Sequence, residues 1–513
     1  MMMKNMEKKS SIKKSIYNIL SSLMGQVFTI ILGIIIPRLY LVNFGSEING
    51  LLNSVNQIYV YFGLLEAGVG TATLQALYKP VAEGDEKSIS RIMAATDKFY
   101  RKTGIIYFIG IMVFSIIYPL VVKSDVPETT IFAVILLNGI PGVVGYFLQG
   151  KYTLLLQAEG KQYVSINLTT VSTILINITR IILVVAGFNI IVVQTAYLTV
   201  NLLRILCLMI YIRKHYKWIN LNAEPDVKAI SQKNSVLVMQ ITDMIFRNTD
   251  VLILTFFCDL KVVSVYSMYT MIFSMISTFL DAFTQGFSFA LGQIYNTDRE
   301  KYIKLHDVYE TYRMTLVFAL YSVAHILITP FLKLYTAGVT DIAYIDKYLP
   351  LLFVLTYLLS CGRASSASLI NYAQHFKLTK NRCIAEAIIN VAVSVVCVIK
   401  FGIYGVLFGT IVSLLYRAND MIIYANKRIL HRSPLVTYKR WLILFTVYFG
   451  IILFCDKFVN IETDSYITLF LYGVICLTVI SIIFFATISA FEPKQAKEAL
   501  KIAKIYFKRL KSK

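Results

Sequence analysis

The chain is written as a succession of apolar stretches, each long enough to cross a bilayer and separated by short polar segments. A hydrocarbon core takes roughly 20 apolar residues in a helix. On that rule spans fall near 15–42, 48–78, 103–122, 129–156, 163–187 and 190–212. A second group follows near 233–258, 262–293, 313–336, 347–374, 382–400 and 404–426. Two more fall near 441–458 and 465–489. The expected fold is an all-α integral membrane protein of about fourteen transmembrane helices.

Composition agrees. Apolar residues make up 57% of the 513 and charged residues 15%, with a mean hydropathy of +0.66. A soluble protein of this size would need more charge to cover its surface. The net charge of +21 does not point to nucleic acid, because the basic residues sit in short clusters between apolar runs and not on one soluble face. The seven cysteines form no CxxC pair, so neither a disulfide framework nor a metal site is indicated. The apolar stretch after the basic N-terminus runs too long for a signal peptide and reads as the first span.

The loops set the expected orientation. Lys4, Lys8, Lys9, Lys13 and Lys14 precede the first span. Alternation from there gathers most Lys and Arg on one side, which the positive-inside rule assigns to the cytoplasm. An even span count returns the C-terminus to the same side. The segments read as a cytoplasmic tail (1–14), helices 1–6 (15–212), a cytoplasmic linker (213–232), helices 7–12 (233–426), helices 13–14 (441–489) and a basic amphipathic tail (490–513). That tail carries lysines beside Leu500, Ile502, Ile505 and Tyr506, a pattern suited to anionic lipid headgroups.

A faint internal repeat relates the two groups of six. Leu65-Glu66-Ala67 is echoed by Leu280-Asp281-Ala282, Tyr100-Arg101 by Tyr312-Arg313, and Arg204 with Tyr211 by Arg417 with Tyr424. Two parallel six-helix lobes are expected, with the last two helices additional. Pro37, Pro141, Pro330 and Pro350 fall within or at the ends of spans, where each removes a backbone hydrogen bond. Gly139, Gly142 and Gly145 put small residues on the fourth span and read as packing positions.

Six arginines lie within spans: Arg38, Arg180, Arg204, Arg247, Arg363 and Arg417. A guanidinium at mid-bilayer costs at least about 2.5–3.5 kcal/mol and should face protein or water. Arg204 and Arg417 read as lying near helix ends, where snorkelling accommodates them. Acids available to the same interior are Glu66, Asp243, Asp250, Asp281, Glu386 and Asp420. Asp243, Arg247 and Asp250 share a helical face, which reads either as an ion-pair ladder or as a charged stripe lining a cavity. His325 reads as a hydrogen-bonded packing residue. The planar guanidinium fork binds phosphate in bidentate fashion, so Arg38, Arg180, Arg247 and Arg363 are the candidate ligands for an anionic, diphosphate-bearing substrate. Glu66, Asp243, Asp250 and Asp281 are candidates for H⁺ or Na⁺ coupling, or else counter-ions to the arginines. No P-loop, HExxH or GxSxG motif is present, and no catalytic residue, cofactor or metal is expected.

Several segments resemble one family. Ile36-Pro37-Arg38-Leu39-Tyr40 through Phe44-Gly45-Ser46-Glu47-Ile48-Asn49-Gly50-Leu51 looks like the opening of Wzx-type polysaccharide flippases. Leu64-Leu65-Glu66-Ala67-Gly68-Val69-Gly70 continues the likeness. Leu156-Gln157-Ala158-Glu159-Gly160-Lys161 is similar to the family's loop between spans four and five. Asn248-Thr249-Asp250 and Val265-Tyr266-Ser267 resemble the start of its second lobe. The resemblance implies the multidrug/oligosaccharidyl-lipid/polysaccharide (MOP) exporter superfamily, with a MATE-like pair of six-helix lobes around a central cavity working by alternating access. It also implies a bacterial cell membrane, and an undecaprenyl-diphosphate-linked oligosaccharide turned from the cytoplasmic to the outer leaflet for capsule, O-antigen or exopolysaccharide. Implied partners are membrane lipids and the polysaccharide polymerase and chain-length machinery. A lipid II flippase, a cation-coupled multidrug exporter and a non-transporting assembly scaffold stand as alternatives.

Overall fold

The computed structural model describes residues 2–66, 69–227, 244, 248–373, 375–459 and 461–511. Among these every regular element is helical. The chain divides into two compact units, Met1–Ser264 and Val265–Lys513.

In the first unit, α1 (Met2–Phe62) bends where Gly45 adopts φ 79° and ψ 176°, a backbone conformation open to glycine at low cost. Gly45 falls in the gap between the first and second expected spans. The second span is itself interrupted: a 3₁₀ turn, Gly63–Leu65, follows α1, and α2 (Val69–Glu83) resumes beyond it. Asp85 then caps α3 (Glu86–Val121) by accepting from the N–H groups of Lys87 and Ser88. The fourth span is α4 (Glu128–Val144), continued through a π turn at Gly145–Gln149 into α5 (Gly150–Ala158). Next come α6 (Gln162–Val185), α7 (Ile190–His215) and the short apolar α8 (Asn248–Phe257). Leu51, Val55, Val134, Ile135 and Val193 form the centre of this unit's core. Ser54 ties it together with polar bonds, accepting from Tyr118 at 2.8 Å and from Thr255 at 2.9 Å.

Helix α9 (Leu260–Thr297) leads into the second unit, which continues with α10 (Arg299–Tyr335), α11 (Leu349–Gly362), α12 (Ala364–Tyr372), α13 (Phe376–Phe401) and α14 (Ile403–Tyr424). It ends with α15 (Leu435–Phe458), α16 (Tyr466–Phe491) and α17 (Pro493–Lys511). Helices α13 and α14 pack closely along their length. A Cβ on Gly405 would lie 2.3 Å from the Cys397 carbonyl oxygen, and one on Gly409 would lie 2.2 Å from Ser394 Oγ, so this GxxxG face brings backbone onto backbone. Helix α10 packs against α11, α15 and α16. His325 bonds Tyr448 at 2.6 Å across α10 and α15, the packing role expected of it.

Eleven helices among the described residues are long and apolar enough to cross a membrane. They coincide with expected spans three to six and eight to fourteen. The first two expected spans lie in α1 and α2, and most of the seventh, 233–258, lies outside the described residues. The outer faces confirm the solvent: Ile467 and Phe470 on α16 are 75% and 69% exposed, as lipid-facing side chains are.

The structure also refines the repeat. Asp85 and Asp298 cap α3 and α10 in the same manner, and this aligns Tyr100 with Arg313, one residue away from the pairing of Tyr100 with Tyr312. Burial agrees, since Tyr302, His306, Glu310, Arg313 and Val317 are buried where Ile89, Met93, Asp97, Tyr100 and Gly104 are.

Candidate functional site

A cavity of about 400 Å³ opens within the first unit. Its wall comes from the C-terminal part of α1, the 3₁₀ turn, α3, α4, the π turn, the start of α5 and α7. The contributed side chains are polar: Asn56, Tyr59, Glu66, Tyr100, Tyr107, Asn138, Tyr146, Gln149, Tyr197, Asn201 and Arg204. Irregular backbone at membrane depth is tolerated where it lines such a cavity, and both the 3₁₀ break and the π turn do so here.

Glycine shapes this space in two ways. A Cβ on Gly142 would meet Tyr107 Oη at 2.6 Å, and one on Gly150 would meet Tyr100 at 2.1 Å. These glycines let the α3 tyrosines lie flat against the fourth span. Gly145 differs, because a Cβ there would have nothing within 4 Å. It faces the cavity. The packing role expected for Gly139, Gly142 and Gly145 therefore holds for the first two, with Gly139 closed by Ile111 at 2.6 Å.

Glu66 follows the 3₁₀ turn, and its carboxylate accepts a hydrogen bond from the Tyr100 hydroxyl. Among the described residues it is the one carboxylate in the cavity wall. Tyr107 and Tyr146 stand beside it with ring centroids 5.1 Å apart. Arg204 bonds Thr169 at 3.3 Å, and its Nε is buried without a hydrogen-bond partner. Arg180 lies over the ring of Tyr197 at 4.9 Å and that of Tyr40 at 5.9 Å, also with Nε buried and unbonded. Among the described residues no carboxylate pairs with Arg180 or Arg204. Tyr197 lines the cavity, so Arg180 stands directly behind its wall. Arg38, on α1, is half-buried.

The arginines of the second unit are treated differently. Arg363 pairs with Glu386 at 2.5 Å, Arg417 with Asp420 at 2.5 Å and Glu386 at 3.4 Å, and Arg382 with Asp420 at 2.6 Å. Glu386 and Asp420 thus serve as counter-ions. Snorkelling fails for Arg417, which is 2% exposed; two carboxylates hold it inside. It fails for Arg204 too, whose side chain turns inward to the cavity. Asp250 is buried, Asp281 is exposed, and Asp243 and Arg247 lie outside the described residues.

Three further cations, not singled out from the sequence, are buried. Arg313 is buried, bonding Thr284 at 2.9 Å and the Cys361 carbonyl at 2.5 Å. Lys151, 3% exposed, pairs with Asp97 at 2.5 Å. Arg440 is fully buried against Glu310. Arg313 and Arg440 sit at the edge of an apolar stretch, where hydropathy reads a basic residue as a loop charge, while Lys151 lies inside the expected fourth span. For Arg313 the repeat in its corrected register would have flagged the position.

The second unit also holds an apolar cavity of about 460 Å³ between α9, α10 and α16, lined by Ile276, Leu327, Phe331, Phe470, Val474 and others.

No protein-family profile matches the chain, and no curated protein matches it in sequence. Solved structures share its fold, among them the following two. One is the lipid II flippase MurJ in an inward closed conformation, with a TM-score of 0.64 at 14% identity over 91% of this chain and 99% of that one. The other is an inward-facing multidrug resistance MATE family transporter of the MOP superfamily, with a TM-score of 0.60 at 14% identity over 79% and 94%.

Proposed function

We propose that this chain is a membrane transporter that flips a polyprenyl-diphosphate-linked oligosaccharide between bilayer leaflets by alternating access. The observation that carries the reading is the pair Arg180 and Arg204, guanidinium groups with buried Nε atoms and no carboxylate partner among the described residues. Half-buried cations within membrane spans are expensive without counter-ions, and an anionic ligand offsets that cost. A diphosphate presents the oxygens that such forks bind. Arg38, Arg247 and Arg363 extend the candidate set, with Arg363 already sharing its charge with Glu386.

Shared architecture with a lipid II flippase supports moving a lipid-linked head. The apolar cavity between α9, α10 and α16 suits a prenyl chain. Coupling to H⁺ or Na⁺ is assigned first to Glu66, the cavity carboxylate, then to Asp250 and Asp281. A multidrug exporter for cationic compounds fits the arginines poorly, since like charges repel. Lipid II remains the second reading, because its head is also a diphosphate.

The test is complementation in two strains, one lacking its surface-polysaccharide flippase and one depleted of its lipid II flippase. Wild type, Arg180→Ala, Arg180→Lys and Arg204→Ala are compared at matched expression. Rescue of polysaccharide export alone, lost with both alanine variants, supports the proposal. Rescue of growth under lipid II flippase depletion selects the second reading, and full activity of both alanine variants removes the diphosphate role.

A further inference from the structure

Helix α17 takes no part in the site described above, yet its geometry is specific. It begins one residue after α16, at Glu492, whose φ −125° and ψ 61° break the helix. Helix α16 has 26 residues, roughly 39 Å at 1.5 Å each, enough to cross the hydrocarbon core of about 30 Å. The start of α17 is therefore placed at the bilayer surface.

The break is fixed from below. Glu492 is 9% exposed and pairs with Lys439 at 3.0 Å and with Arg440 at 3.7 Å, while Lys439 also bonds the Phe491 carbonyl at 3.2 Å. Two cations from α15 thus hold the carboxylate at the corner, and α17 leaves beside α10 and α16.

Lys494, Lys497, Lys501 and Lys504 recur at intervals of three and four residues, which aligns them on one helical face. All four are exposed. Leu500 and Ile502 are exposed as well, at 62% and 38%. Exposed apolar side chains beside a row of lysines suit a lipid interface, which offers both phosphate and hydrocarbon.

We propose that α17 is a binding surface for anionic lipid headgroups, held at the membrane by its clamped root. Lysines reach the headgroup phosphates while Leu500 and Ile502, on either side of the lysine row, lie at the level of the acyl boundary. An acidic protein segment could meet the lysines. Lipid is favoured because the helix starts at the membrane surface and exposes apolar residues beside the charge. The inference is independent of what the chain transports.

The experiment compares amide hydrogen exchange over 493–511 in full-length protein reconstituted into nanodiscs of phosphatidylglycerol or of phosphatidylcholine. Each lysine near an anionic surface strengthens association roughly fivefold. Exchange at least tenfold slower in phosphatidylglycerol is expected, with the difference abolished by molar salt and by the K494Q/K497Q/K501Q/K504Q variant. Equal exchange in the two lipids overturns the proposal, as does protection that survives both salt and the quadruple substitution. Protection seen in neither lipid but induced by polyglutamate would reassign the surface to an acidic protein partner.

Discussion

Arg440 on α15 donates to Glu310 on α10 with both side chains almost wholly out of solvent. The capping register aligns Glu310 with Asp97 of the first unit, where the partner is Lys151 from α5. One repeat satisfies its buried acid from within its own six helices. The other uses a cation from the additional pair, and Arg432 and Thr437 reinforce it. This buried acid thus fastens α15 to α10 within the second unit.

Breaking that fastening has a defined cost. Arg440→Met leaves Glu310 buried with only Arg432 and Thr437, and should destabilise the protein by about 3 kcal/mol. The midpoint of unfolding in detergent is the readout. Combining Arg440→Met with Glu310→Met should cost less than the two single changes added together. Additive losses would mean that the pair is not coupled.

Gly145 offers a way to fill the cavity without disturbing the fold. Gly145→Leu projects into open space, so stability should change by less than about 1 kcal/mol while transport is lost. Gly150→Ala, which drives a methyl into the Tyr100 ring, should instead lower stability by about 1–3 kcal/mol. Gly145→Leu with undiminished transport would detach the cavity from function.

Coupling at Glu66 can be separated from its structural bond. Glu66→Gln still accepts from Tyr100 but cannot exchange a proton or hold a cation. In proteoliposomes this variant should move substrate passively, with the response to an imposed H⁺ or Na⁺ gradient gone. Tyr100→Phe should keep the gradient response and lower its rate. An unchanged gradient response in Glu66→Gln moves the assignment to Asp250 or Asp281.

Asp346, in the connection before α11, predicts an acid limit. Burial alone would raise its carboxyl. The Tyr404 hydroxyl and the N–H groups of Leu349 at 2.9 Å and Tyr348 at 2.7 Å outweigh burial and hold it below the ordinary value of 3.8. Its folded value is the lower one, so its stabilisation is complete above pH 3.8 and is lost as pH falls through the folded value. Amide exchange at Tyr348 and Leu349 should quicken in that window. In Asp346→Asn the step should vanish.

What the sequence by itself determined is what depends on local sums. Eleven of the expected spans stand among the described residues because hydropathy averaged over 20 residues reports the transfer of a whole helix into lipid. Gly45, Pro141 and the cap residues mark where those helices bend or begin. The tertiary structure alone decided which charges are answered. Arg180, Arg204, Arg363 and Arg417 look alike in sequence, yet two meet no carboxylate among the described residues and two meet Glu386 or Asp420. Arg313 and Arg440 sit at span edges and read as loop charges, and Lys151 sits unanswered inside the fourth span, until their partners come in from other helices. A guanidinium's energy is set by the few atoms within about 4 Å of it. Most of those atoms belong to residues far away along the chain.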